Sequence, residues 1–252
     1  MFLQASPSAA RSRAMEYDPE TALTRLRRHR GSGSDGGSDG GSFVIGQLGQ
    51  SLDGRIATPT GASKYINGHE ALCHLHRIRA EVDAVIIGIA TAIADDPQLT
   101  TRHVEGPNPV RVVIDPNGRL PGTLTMLHDN AAPVLVITAP GVAVPAGAEA
   151  LELECDGGNF PPETIIRALA ARGMRRLLVE GGAETLARFL NASAIDELHL
   201  MVAPIVLGSG KTGLNLAPIS ELDEAMRPLV RTMRFKDGDM LCMCDMRMSN
   251  AA

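Results

Sequence analysis

The chain has 252 residues, 44% of them apolar, and a formal charge of −5 at neutral pH. That is apolar material for one large folded unit or two small ones, and with aromatics at 3% and no Trp the core must be aliphatic. The mild negative charge and the shortage of rings argue against a nucleic-acid binder, which calls for a basic face or stacking platforms, and no apolar run is long enough to span a bilayer.

The first residues, MFLQASPSAARSRAMEY, carry two arginines and no acid before Glu16. They lack the apolar stretch of a secretory signal; a transit segment is one reading, and the plainer one is an ordered helix starting at Met15 behind a disordered lead. Residues 20–30 suggest a short Arg-rich helix, and GSGSDGGSDGGS, Gly31 to Ser42, is a flexible linker by composition. Residues 1–42 are therefore expected to be a flexible extension, with the folded unit over 43–252.

FVIGQLGQS reads as the first strand. The polar loop from Ser51 to Asn67 is long for a compact domain, which suggests function. It holds Ser63 and Tyr65, two hydroxyls and one aromatic face. HEALCHLHRIRA reads as a helix entered through Asn67-Gly68. Leu72, Leu75 and Arg79 fall at i, i+3 and i+7, so Arg79 shares the apolar face; it either snorkels to an edge or reaches an anionic ligand. His74 and His76, two apart on a helix, make a poor metal pair.

DAVIIG is a buried strand, and the charged stretch TAIADDPQLTTR follows it directly. Two adjacent carboxylates, if buried, must find a donor or take up a proton. Asp95 or Asp96 could cap the backbone before Pro97, or Thr91, Asp95, Leu99 and Arg102 could form a pocket wall. VRVVID is a strand leading into the turn Asp115-Pro116-Asn117-Gly118. PVLVIT is another strand, and LELE, short and half acidic, a further one. PPETIIRALAARG is a helix with Pro at its start and Gly at its end.

RRLLVEGG and AETLARFLNA form a second strand exit, where Gly181 and Gly182 would let an anion approach a helix N-terminus. The GxGxxG fingerprint is absent, so a simple tight turn explains these glycines equally well. Glu180, just before them, could hold a ligand hydroxyl or amino group. ELHLMVAPIVLG is a strand ending in a Gly-rich loop. LGSGKT is not a P-loop, because Ile205 stands at the place of its first glycine. VRTMRFKDGDMLCMCDM reads as a closing hairpin, with Cys242 and Cys244 on one face. The four cysteines lack C-x-x-C spacing and read as reduced thiols, which fits a cytoplasmic protein. Zinc-deaminase and G-x-S-x-G signatures are both missing.

Apolar strands alternating with helices indicate an α/β fold, a mainly parallel sheet flanked by helices on both faces with an antiparallel hairpin at the end. Ligands of such sheets bind beyond the carboxyl ends of the strands.

SLDGRIA, GASKYI, HRIRAEVDAVIIGIATAIADDPQLTTR, VRVVIDPNGRLP, LLVEGGAETLARFL and PIVLGSGKTG, in this order, resemble the reductase domain of bacterial riboflavin biosynthesis, a family with a dihydrofolate-reductase-like fold. The resemblance implies NADPH-dependent reduction of the ribosylamino group of a pyrimidine ribose 5-phosphate to the ribitylamino form. It implies that Tyr65, Thr91, Asp95, Gly181, Gly182, Ala183, Glu184, Thr185 and Leu186 contact NADPH, in a segment running on to Arg188. Ser63, Arg79, Leu99, Arg102 and Glu180 would hold the phosphorylated pyrimidine, with Asp95 as acid or electrostatic partner. All of them are expected to converge on one crevice, with no metal, in a homodimer. Gln47 stands where many members have lysine, and Pro116 where some have serine, which bears on substrate identity. A reductase of the same fold acting on a pterin, or a non-catalytic nucleotide-binding protein, are the alternatives.

Overall fold

Short runs of Val, Ile, Leu and Ala, buried on both sides, make the sheet of this protein: Val134–Thr138 is buried at every position and Ala84–Gly88 at all but the last. The computed structural model describes residues 15–29, 41–63 and 66–247. In chain order its elements are β1 Met15–Glu16, α1 Pro19–Ala22, α2 Thr24–Arg28, β2 Phe43–Ser51, β3 Arg55–Ala57, α3 His69–Glu81, β4 Ala84–Gly88, α4 Ile89–Asp95, β5 Val110–Ile114, β6 Val134–Thr138, β7 Glu149–Glu152, α5 Pro162–Ala171, β8 Arg176–Glu180, α6 Ala183–Asn191, β9 Glu197–Ala203, β10 Lys211–Thr212, β11 Leu229–Arg234 and β12 Met240–Asp245.

The main sheet runs β1-β11-β12-β9-β2-β8-β4-β5-β6-β7. Every pairing is parallel except β11–β12 and β12–β9, so the closing hairpin is the antiparallel part. Successive side chains of a strand face opposite sides, and the core divides accordingly. Phe43, Ile45, Val85, Ile87, Val113 and Leu178 pack with Ile78 of α3 and with Ile89 and Ala92 of α4. Val44, Ile86, Val112, Leu177 and Val179 pack with Ile165 and Leu169 of α5 and with Leu186, Phe189 and Leu190 of α6.

Three expectations need correction. Packing begins well before Phe43. Leu23 and Leu26, each 1% exposed, insert into the first core layer, and β1 pairs with β11. Arg25 bridges Glu197 at 2.9 Å and Asp245 at 3.0 Å. The basic exterior of TRLRR hides a small apolar stripe that the sheet covers. Secondly, α3 buries Ala71, His74, His76, Ile78 and Arg79, while Leu72 is exposed; the side shared by Leu72, Leu75 and Arg79 is covered only towards the end of the helix. Thirdly, the strand expected at LELE begins two residues earlier, at Glu149, where the register with Leu135 is set.

Candidate active site

β4 and β8 are neighbours, so their carboxyl ends open at one place. β4 passes straight into α4 through Gly88, and β8 reaches α6 through Gly181 at φ 68° and Gly182 at φ 67°, a region that glycine enters without steric cost. A Cβ on Gly182 would stand 2.7 Å from Thr91 Oγ1, and one on Gly88 would overlap Thr185 Oγ1. The two exits thus close on each other through glycines, with Thr91 and Thr185 between them. Gly182 caps α6 with no side chain, which leaves first-turn amides free for an anion.

A cleft of about 980 Å³ opens from this junction. Its walls include Thr91 and Asp95 of α4, Gly182 to Thr185 of the α6 start, Pro116, Asn117 and Arg119 of the turn after β5, and Asn159 and Phe160 before α5. The loop after β2 supplies a third side. Its β3 pairs antiparallel with β10, which brings Ser63, Lys211 and Thr212 to the wall. Asp53 anchors this flap, accepting from Ser51 Oγ at 2.6 Å and from the amides of Leu207 and Gly208. Those hydrogen bonds, Ser51's first, hold its carboxyl down at about 2.

Beside the cleft lies a charged cluster. The Arg79 guanidinium grips the Glu180 carboxylate through two nitrogens, Nε to Oε2 at 2.8 Å, and donates to the Thr100 carbonyl at 3.0 Å. Arg102 lies in the field of both: burial and the charge of Arg79 lower its pKa, and Glu180 opposes them. Glu180 directly precedes the glycine pair, so cluster and cleft share the β8 exit.

Of the expected site residues, the cleft wall brings together Ser63, Thr91, Asp95, Gly182, Ala183, Glu184 and Thr185. Arg79, Arg102 and Glu180 form the adjoining cluster, so the single crevice expected from sequence is two contiguous surfaces. Arg79 spends its guanidinium on Glu180 and Thr100 and fixes that carboxylate in place. Leu99 is 1% exposed and packs in the first core layer; Gly181 does not reach the wall, and only a Cβ added to it would meet Thr91. Leu186 departs furthest from its expected role. It is fully buried on the inner face of α6 and packs over Gly46, because a segment spanning a whole helical turn cannot point all its side chains one way. Tyr65 lies outside the described residues.

Asp95 is exposed, and its side chain makes no hydrogen bond or ion pair among the described residues. Asp96 is structural: it ends α4 at φ 39° and accepts from Thr125 N at 2.8 Å and Oγ1 at 2.6 Å. Arg119, Arg188 and Lys211 also line the cleft. Lys211 follows the glycines of the strand-exit loop, a signal set aside when the P-loop pattern failed. Among the described residues no cluster of three or more His, Cys, Asp or Glu could hold a metal, and no helix is long and apolar enough to cross a membrane.

A mainly parallel sheet with its cleft at the strand exits and an antiparallel hairpin at its edge is the α/β fold of solved pyrimidine and riboflavin-biosynthesis reductases. Residues 42–237 match the RibD C-terminal domain, and the chain belongs to that family. The 2,5-diamino-6-ribosylamino-4(3H)-pyrimidinone 5′-phosphate reductase of Methanothermobacter thermautotrophicus is 35% identical over 193 residues, covering 73% of this chain and 89% of that protein. The diaminohydroxyphosphoribosylaminopyrimidine deaminase/5-amino-6-(5-phosphoribosylamino)uracil reductase of Thermotoga maritima superposes with a TM-score of 0.70 at 30% identity, over 81% of this chain and 56% of its own. The riboflavin biosynthesis reductase Rib7 of Saccharomyces cerevisiae also gives 0.70, over 91% of this chain and 99% of its own; at 19% identity that likeness concerns the fold alone.

Proposed function

We propose that this chain reduces the ribosylamino group of a pyrimidine ribose 5-phosphate to the ribitylamino form, with NADPH as reductant, in riboflavin biosynthesis. The observation that carries the reading is the meeting of the β4 and β8 exits on one broad cleft, with Asp95 in its wall and the Arg79–Glu180–Arg102 cluster alongside. The residues fit a dinucleotide. Thr91 and Gly182 to Thr185 would hold its pyrophosphate at the uncapped start of α6. Lys211 would supply a cation for the further phosphate of NADPH, with Arg119, 3.9 Å from Asp115, and Arg188, tied to Glu184 and Asn159, on the same wall. When bound, the reduced nicotinamide supplies the hydride.

The chain's own residues do the rest. Ser63, Arg102 and Glu180 would seat the phosphosugar beside the cleft, with Arg79 fixing Glu180 in place. The sugar ring opens to an imine, whose carbon takes the hydride while its nitrogen takes a proton. Asp95 is placed to deliver that proton or to offset the iminium charge. Positioning of two bound reactants accounts for most of the rate. Free cysteines suit the cytoplasm. The edge of β11, covered by β1 only at Met233 and Arg234 and exposing Leu229 and Val230, is where a second copy would pair to form a homodimer; sedimentation reads that mass directly.

The test is cofactor oxidation by the purified chain. NADPH and NADH are compared with the 2,5-diamino pyrimidinone phosphate, its deaminated uracil counterpart and dihydrofolate. Turnover is expected with a ribosylamino-pyrimidine phosphate and preferentially with NADPH. The Asp95→Asn protein should bind NADPH normally and lose about a hundredfold in turnover. Turnover of dihydrofolate alone would assign a pterin reductase, and NADPH binding without any turnover a non-catalytic protein.

A further inference from the structure

The loop between α4 and β5 carries two non-glycine residues in the left-handed region, Asp96 at φ 39° and Leu99 at φ 54°. Such conformations persist where the surroundings over-determine them. Here side chains from outside the strained turn do so. Thr125 holds Asp96, Arg79 holds the Thr100 carbonyl at 3.0 Å, and Asn108 accepts the Thr101 amide at 2.7 Å. The last fastening falls on Arg102 itself, whose amide donates to Nδ1 of His76 at 2.9 Å.

A backbone amide can only donate, so Nδ1 of His76 must accept. The single proton of the neutral ring then sits on Nε2. Nε2 is buried and has no hydrogen-bond partner among the described residues. An orphaned buried N–H carries a cost, and here it accompanies a ring oriented by its other nitrogen. His103 packs edge-on against the ring, with 4.6 Å between centroids. Burial, then the charges of Arg79, His103 and Arg102, push the His76 pKa down to about 3, so the acceptor persists at neutral pH.

We propose that His76 is a positioning residue: by accepting the Arg102 amide it fixes the backbone from which the Arg102 guanidinium meets the phosphate of the substrate. This rests on the reading of Arg102 given above and adds a residue that touches neither substrate nor cofactor. Among the described residues the side chain of Arg102 is hydrogen-bonded only to its own loop, through Gln98, so its reach depends on where the backbone is held.

The test uses the full chain and two ligands, ribose 5-phosphate and NADPH, with affinities read by calorimetry. His76→Leu fills the site without an acceptor; His76→Asn offers its side-chain oxygen close to the Nδ1 position; Arg102→Ala is the reference. The Leu variant should bind ribose 5-phosphate about tenfold more weakly, as loss of one buried acceptor implies, with NADPH affinity within about twofold of wild type. The Asn variant should recover most of the loss. In turnover, KM for the pyrimidine should rise while kcat holds. Wild-type affinity in His76→Leu overturns the proposal. So does equal weakening of both ligands with no recovery in His76→Asn, an Arg102→Ala protein with unchanged affinity, or a wild type that does not bind ribose 5-phosphate. If His76→Leu does not fold, His76→Gln replaces it. Its acceptor lies nearer the Nε2 position, so it should bind more weakly than His76→Asn, and equal affinities overturn the proposal. Ribose 5-phosphate binding without turnover of the pyrimidine would count against the reductase reading and leave the role of His76 standing.

Discussion

At Gly182 the cleft is tight and the backbone is left-handed as well. This glycine combines φ 67° with only 2.7 Å between an added Cβ and Thr91 Oγ1. Gly54 has a similar φ, 77°, but nothing within 4 Å of its added Cβ. Alanine at either position carries the backbone strain; only at Gly182 does it also displace Thr91. Gly182→Ala is therefore expected to weaken NADPH binding roughly tenfold, within the range of a 1–3 kcal/mol local strain, while Gly54→Ala binds as wild type. Equal titration curves for the two would show that the glycine junction does not shape the cofactor site. Thr91, Asp95 and Gly182 could be picked out from the sequence as neighbours of one strand-exit cleft because they follow apolar strands closely. Leu186 turns away from the cleft and Arg79 meets a protein carboxylate, and the sequence hid the two facts for different reasons. A motif copied as a continuous segment ignores the turn of the helix, and a buried arginine reads as a ligand's partner until its carboxylate, Glu180, is seen.

At the scale of elements, the arm formed by β1, α1 and α2 precedes the matched family domain, yet it is built into the fold. Tyr17 Oη lies 2.8 Å from His74 Nδ1, His74 Nε2 lies 2.9 Å from His199 Nδ1, and His199 Nε2 lies 2.7 Å from Glu197, which Arg25 also pairs. Read from the carboxylate outwards, each ring donates inward and accepts outward, and Tyr17 donates the last proton, so two neutral imidazoles satisfy the whole chain. Removing residues 1–29 would uncover the sites of Leu23 and Leu26 and strip Glu197 of its cation. Burial of each leucine contributes about 1.5–3 kcal/mol, so a melting temperature lower by roughly 6–24 °C is expected, with NADPH affinity unchanged because the cleft lies elsewhere. An unaltered melting temperature would mean that the arm does not pack. The helical tendency of this segment was legible; its docking was not, since its partners His74, Glu197 and Asp245 lie far along the chain. β3 and β10 were missed because three and two residues are too few to show a period.

For the whole molecule, alternation of apolar strands and capped helices made the parallel sheet legible, but not which strands touch, and that adjacency is what buries the histidines. Burial, then the charges of His199 and Arg77, hold His74 well below its ordinary range; burial likewise lowers His29, and His76 stands at about 3. In the unfolded chain each would take up a proton near pH 6.5. The native state stays unprotonated there, so below about 6.5 the unfolded state binds more protons and stability falls with pH, down to where the native groups finally titrate. Asp83, Asp129 and Glu197 act in the same direction at lower pH. Burial raises each of them, but hydrogen bonds from Arg176, Arg111 and His199 more than offset it, and all three end below the ordinary carboxylate range. Denaturant unfolding should therefore give a lower free energy at about pH 5.5 than at about pH 7.5. In the His76→Asn protein the proton uptake on unfolding over that interval should be smaller, by at most about one proton, because one depressed imidazole is gone. Stability that is flat or rises on acidification would mean that these rings are not buried as neutral bases. Activity lost in the same interval with no change in unfolding free energy would instead place the titrating group in the cleft.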